Sequence, residues 1–196
     1  SGCWDRRDIE ETVPVLAIGI DFAEEDVKEI TKSSKVKVTI QSPIPTKMEQ
    51  GEDPVWVISS VGDSVAGAFY NLQNKLNQEL FFGHVRVIVF SQELAKEGII
   101  KYLNYIRNLP QLRRLSWILV AKDKAEDIIK SKPKLEAVPA MYLTNMLNNG
   151  VWIGRIPDLR LGDFFINISK PGQDVSTVLT KANEEMIDYI GLGVFK

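Results

Sequence analysis

The chain has 196 residues, 44% of them hydrophobic and 26% charged, with 24 Lys+Arg against 26 Asp+Glu. That is the composition of an ordinary globular protein with room for one sizeable core or two modest ones, and a net charge of −2 argues against a general nucleic-acid binder, which needs a basic surface to displace phosphate counterions. No apolar run reaches the ~20 residues of a membrane-spanning helix, and one Cys with one His builds neither a disulfide framework nor a zinc site from the usual ligands.

Residues 1–12 are dense in charge and read as a lead-in. The run Val13 to Ile20 is apolar and rich in branched residues, the signature of a buried strand, and Asp21 closes it. Val36, Val38 and Ile40 alternate with Lys37 and Thr39, a period-2 pattern that predicts a half-buried strand ended by Pro43 and Pro45. A strand is expected over 55–61. Val65, Phe69, Leu72, Leu76 and Leu80 then fall on one helical face, with Asp63 or Ser64 as the cap. The unit recurs: a strand over 85–90, Ser91 as cap, and Leu94, Ile99, Leu103 and Ile106 on a helix stopped near Pro110. A third strand over 115–121 leads to Asp123 with Glu126 three residues on, a capping-box-like start for a short helix before Pro133. A helix over 135–147 carries Val138, Met141, Tyr142 and Met146 and is expected to stop at Asn148, Asn149 and Gly150.

Apolar strands alternating with amphipathic helices predict an α/β fold, a mixed sheet covered by helices on both faces, over residues 13–150. After Gly150 the pattern breaks into short apolar pieces split by Gly, Pro and Asp, so residues 151–196 are expected to open a second, β-rich domain that is cut before completion.

The turn from Gly62 through Ser64 to Phe69 resembles the tight strand-to-helix turn on which hydrolases present a serine. A serine needs a base, and His84, the single histidine, begins the next predicted strand. If the strands are parallel, Ser64 and His84 lie at opposite edges of the sheet, so Asp63 and Ser64 read as helix caps and no catalytic residue is assigned. The segment Gly62 to Gly67 lacks the Lys and Ser/Thr of a phosphate loop, and no GxGxxG opens a helix, so no cofactor is expected. Between Arg107 and Lys134 eight Lys or Arg face three acids, which predicts either a surface turned toward anionic lipid or a partner, or a solvated rim. The pairs Glu24 with Glu25 and Glu184 with Glu185 lie in polar stretches and are expected to be solvated, and the triplet Asn167 to Ser169 is a common chance match to a glycosylation acceptor.

Ser1-Gly2-Cys3 matches the last positions of a bacterial lipobox. Downstream come Cys3-Trp4-Asp5-Arg6-Arg7, Ile18-Gly19-Ile20-Asp21, Leu80-Phe81-Phe82-Gly83-His84 and Tyr189-Ile190-Gly191-Leu192-Gly193-Val194-Phe195. Together these resemble the Ger(x)C family, the C subunits of spore germinant receptors, along the whole chain, with Gly193 where Ala is more usual. The resemblance implies a non-catalytic lipoprotein whose signal peptide has been removed and whose lipid attachment is Cys3. It would sit on the outer face of the spore inner membrane beside two integral-membrane partners, the A and B subunits, in receptor assembly or signal relay during germination. It also implies an N-terminal piece of a longer protein. Several acyl chains on one cysteine, at about 0.8 kcal/mol per buried methylene, suffice for stable anchoring, and residues 4–12 would form a leash spanning at most roughly 30 Å. The alternative is direct capture of the nutrient germinant in a crevice beyond the carboxyl ends of the strands, near Ser59 to Asp63.

Overall fold

The apolar runs become neighbours in one sheet. A computed structural model describes residues 12–23, 35–44, 53–109, 111–170, 174–183 and 185–195. Nine strands are described: β1 (Thr12–Pro14), β2 (Ala17–Phe22), β3 (Val36–Pro43), β4 (Val55–Gly62), β5 (Glu79–Phe81), β6 (Val87–Ser91), β7 (Trp117–Ala121), β8 (Val175–Ala182) and β9 (Ile187–Phe195). The described helices are α1 (Val65–Gln73), α2 (Gln92–Lys96), α3 (Ile100–Arg107), α4 (Ala125–Lys130), α5 (Pro139–Trp152) and α6 (Leu161–Ile168). Seven strands form the main sheet in the order β4-β3-β2-β6-β7-β8-β9, and β1 pairs with β5 in a small parallel ribbon. The four central strands β2, β6, β7 and β8 are parallel, while β3, β4 and β9 are added antiparallel to their neighbours.

Alternation along each central strand splits the core in two. Ile18, Ile20, Ile88, Phe90 and Ile118 face one side, where Val65, Phe69 and Leu72 of α1, Leu103 and Ile106 of α3 and Phe164 of α6 cover them. Ala17, Val87, Val89, Leu119 and Ala121 face the other, under Ile128 and Ile129 of α4 and Leu143 and Leu147 of α5. The expected mixed sheet with both faces covered is therefore present. Burying such an aliphatic or aromatic side chain contributes about 1.5–3 kcal/mol relative to exposure, so the two layers, not helix propensity, hold these short helices in place.

The structure departs from the sequence expectations where local patterns meet tertiary demands. The helix of residues 65–80 stops at Gln73, whose side-chain amide donates to Gln78 O (2.8 Å) and accepts from Leu80 N (3.1 Å). Leu80 is thus buried on β5 instead of extending the helical stripe. The helix predicted between Ser91 and Pro110 is two helices, broken where Gly98 takes a positive φ of 103°. Helix α5 begins at Pro139 and does not end at Asn148 to Gly150; contacts of Leu147 and Val151 with the core carry it on to Trp152.

The largest correction concerns residues 151–196, which do not open a separate β-rich domain. β8 lies beside β7 in the same sheet, β9 closes its edge, and α6 is the crossover that brings the chain there. The misreading has a physical cause. β8 is rich in Ser and Thr, yet it is a core strand because its hydroxyls are satisfied: Thr177 Oγ1 donates to Ile118 O (2.6 Å) and Thr180 Oγ1 to Val120 O (3.3 Å).

Candidate functional site

The strand-to-helix turn after β4 carries the serine singled out from the sequence. Ser64 has extended backbone angles (φ −157°, ψ 167°), and its Oγ accepts a hydrogen bond from Gly67 N at 3.1 Å, so the hydroxyl caps α1. β4 runs parallel to β2 and β6, because two antiparallel pairings separate it from β2. Ser64 therefore follows the carboxyl end of one strand while His84 precedes the amino end of another, its ring against Phe81 at 5.2 Å between centroids. The two do not meet. Gly62 makes the turn possible in another way: a Cβ there would lie 2.3 Å from Ala68 N, so only a glycine lets the end of β4 pass beneath the first turn of α1.

A denser polar cluster lies on the same carboxyl edge. Asp21, near the end of β2 and 3% exposed, accepts from Ala125 N (2.7 Å, Oδ1) and Glu126 N (2.9 Å, Oδ2), so it caps α4 across 104 residues of sequence. Burial pushes its carboxyl up to about 6 against the pull of those two N–H groups, and the nearby Glu126 charge adds to the rise. Gly19, two residues earlier, lets α4 approach, since a Cβ would lie 2.9 Å from Ile129 Cγ1. Ile18-Gly19-Ile20-Asp21 is thus a helix-docking device. Glu126, expected as part of a capping box with Asp123, instead bonds Lys37 and Lys130, each at 2.5 Å, and Ser59 Oγ at 3.4 Å. Burial would raise Glu126, but the hydrogen bonds and charges of Lys130 and Lys37 outweigh it and hold the carboxyl below its ordinary value.

Beside this cluster a shallow cleft of about 600 Å³ is lined by Lys37, Ser59, Ser60, Val61, Asn71, Asn74 and Lys75. It falls where the crevice was expected, at the carboxyl ends of the strands. Its floor is the outer strand β4, whose backbone carbonyls are taken by α1 and the turn after it: Asn71 Nδ2 of α1 donates to Val61 O (2.9 Å), and Lys75 Nζ, just past the helix, to Ser59 O (3.3 Å). These contacts blunt an edge that would otherwise offer unpaired carbonyls to another strand.

The basic run between Arg107 and Lys134 does not form one face. Arg107, Arg113 and Arg114 precede the amino end of β7, Lys122 and Lys124 follow its carboxyl end, and Lys132 and Lys134 bond Asp53 and Glu185. Cys3, with its Trp4 to Arg7 neighbours, and Glu24, Glu25 and Glu184 lie outside the described residues. Among those described, no group of three or more His, Cys, Asp or Glu side chains could hold a metal ion, and no helix is long and apolar enough to cross a membrane. Sequence reasoning missed Gln41, which is fully buried, donates to Ile129 O (2.9 Å) and accepts from Ala140 N (3.1 Å), clamping the end of α4 to the start of α5. A lone Gln in a strand next to a Pro gives no signal of that role.

Fold and site together define a three-layer α/β module whose buried polar groups join helices to the sheet. Its sequence matches the family described as the Spore germination protein N-terminal domain over residues 5–182, and the chain belongs to that family, the Ger(x)C proteins. Spore germination protein KC of Bacillus subtilis (strain 168) is 27% identical over 173 residues, covering 83% of this chain and 40% of that protein. Spore germination protein B3 of the same organism is 24% identical over 202 residues, covering 100% and 51%. The putative spore germination protein YfkR, also from that strain, is 26% identical over 155 residues, covering 74% and 38%. The chain thus spans between about two fifths and half the length of these relatives. The crystal structure of the GerBC protein aligns with a TM-score of 0.43 at 20% identity over 92% of this chain and 49% of that one.

Proposed function

We propose that the chain is the N-terminal, lipid-anchored part of a germinant-receptor C subunit that acts in receptor assembly or signal relay and not in catalysis. Cys3 would carry the lipid, residues 1–12 would serve as the tether, and the A and B subunits in the spore inner membrane would be the partners. The observation that carries this reading is the lipobox-like Ser1-Gly2-Cys3 placed just ahead of a domain of the spore germination family, matched from residue 5. The use of the prominent polar residues as caps and clamps supports a scaffold role: Ser64, Asp21 and Gln41 all bond backbone groups of helices. The test is Cys3→Ala in the full-length protein, expressed with its leader in sporulating cells. The variant is expected to leave the membrane fraction and to lose the nutrient response. Retention in the membrane with normal germination would overturn the reading.

The cleft beside Lys37, Ser59 and Lys75 favours a second reading, direct capture of a polar nutrient. Saturable heat on titrating amino acids or sugars into the isolated chain, abolished by Lys75→Ala with Asn71→Ala, is its expected signature; flat titrations would remove it.

A further inference from the structure

At the end of the sheet opposite the cleft, arginines from separate stretches of sequence gather. Arg86 precedes β6, Arg113 and Arg114 precede β7, and Arg107 ends α3. The pairing of Val87 with Trp117 sets Arg86 beside Ser116, whose Oγ lies 2.8 Å from both Val85 O and Arg113 O. Gly162 N donates to Arg114 O (2.9 Å), and the Arg107 guanidinium lies 5.8 Å from the Phe165 ring centre, so α6 ties the group together. All four side chains are exposed, and among the described residues Arg86, Arg113 and Arg114 make no ion pair. Of the acids near this edge, Asp158 accepts from Arg160 Nε (2.5 Å) and Asp163 from Arg160 N (3.3 Å), while Asp174, which precedes β8, stands as one exposed acid against the four arginines. Leu115, adjacent to Arg114, is 75% exposed. The chain enters the sheet at this same end, where Leu16 O accepts from Arg86 N at 2.8 Å.

We propose that this amino edge is a docking surface for an anionic phospholipid bilayer. The guanidinium groups meet headgroup phosphates, which they bond in fork geometry, and Leu115 enters the interfacial region. The inference rests on the anchored reading above, because a tether from Cys3 to Thr12 is what keeps this edge, and not the cleft, within roughly 30 Å of lipid. Nucleic acid offers the same phosphates, but a long polyanion would also meet the rest of a surface whose net charge is −2, whereas a flat bilayer touches one edge only. The cleft at the opposite edge is then left facing away from the lipid.

The experiment uses the unlipidated 196-residue chain, so it does not depend on the anchor itself. Its co-sedimentation is measured with vesicles of equal phosphatidylglycerol and phosphatidylcholine, and with vesicles of phosphatidylcholine alone. Binding is expected to the anionic vesicles only and to fall steeply as salt rises. Each arginine near such a surface strengthens binding about fivefold, so Arg113→Ala with Arg114→Ala should weaken it about 25-fold. Lys132→Ala with Lys134→Ala, which removes lysines already bonded to acids, should change it less than about twofold. Thermal melts confirm that each variant is folded. Absence of binding to anionic vesicles at low salt, equal weakening by the lysine pair, or equal affinity for duplex DNA would overturn the assignment. Failure of the Cys3→Ala prediction with success here would leave a lipid-facing edge on a protein held by other means.

Discussion

Asp21 offers a quantitative test of how the module is held together. Its carboxylate is 3% exposed, accepts the Ala125 and Glu126 N–H groups, and has its pKa raised from 3.8 to about 6, chiefly by burial. A carboxyl whose folded pKa lies above its unfolded value binds more protons in the folded state. Its stabilising contribution is complete below 3.8 and is lost as pH rises through about 6. With those two values, raising the pH from about 4.5 to 7.5 removes about 2 kcal/mol. Asp21→Asn cannot titrate. It keeps one acceptor but turns an NH2 toward the second buried N–H, at a cost of about 1–3 kcal/mol; at neutral pH it also avoids about 3 kcal/mol of carboxylate burial. The two proteins should therefore be of similar stability at pH 7.5, and the wild type should gain about 2 kcal/mol over the variant at pH 4.5. Urea unfolding followed by tryptophan fluorescence at both pH values, with matching m-values, measures this difference. A wild-type minus variant difference that is constant within about 0.5 kcal/mol across that range would refute the claim that the buried cap controls it.

Two further outcomes follow from the turn after β4. Gly62→Ala should destabilise by about 3 kcal/mol or more, since its methyl would overlap the Ala68 backbone, whereas Gly67→Ala, which would meet Ser64 Oγ at 3.4 Å and Gly62 Cα at 3.9 Å, both ordinary contacts, should stabilise α1 by about 0.5–1 kcal/mol; thermal melts of the two variants check the opposite signs. Ser64→Ala should cost about 1 kcal/mol through loss of the cap on Gly67 N while leaving germination of spores carrying it unchanged, and loss of germination at normal protein level would restore a chemical role for the hydroxyl.

Much of the element order was legible in the sequence because apolar runs and helical spacing report burial directly. The strands over 36–40, 55–61, 85–90 and 115–121 all appear, with boundaries shifted by a residue or a few. Segments whose burial depends on side-chain hydrogen bonds were misread: β8 hides its threonines against β7 carbonyls, and α6 has only 8 residues to show a period. The Ser64 cap was readable because its partner is three residues away. The caps made by Asp21 and Gln41 were not, since their partners lie 88 to 105 residues away.

By itself, then, the sequence determined the α/β class, the absence of the phosphate-loop and dinucleotide motifs, and, through Cys3-Trp4-Asp5-Arg6 and Phe82-Gly83-His84 above all, the family. Only the tertiary structure decided that residues 151–196 complete the first sheet, that Asp123 yields its capping role to Asp21, and that the basic run divides between two edges while Arg86 joins Arg107, Arg113 and Arg114. The reason is that periodicity encodes which face of an element is buried, whereas strand order, which brings distant residues together, is set by the packing of all the layers at once.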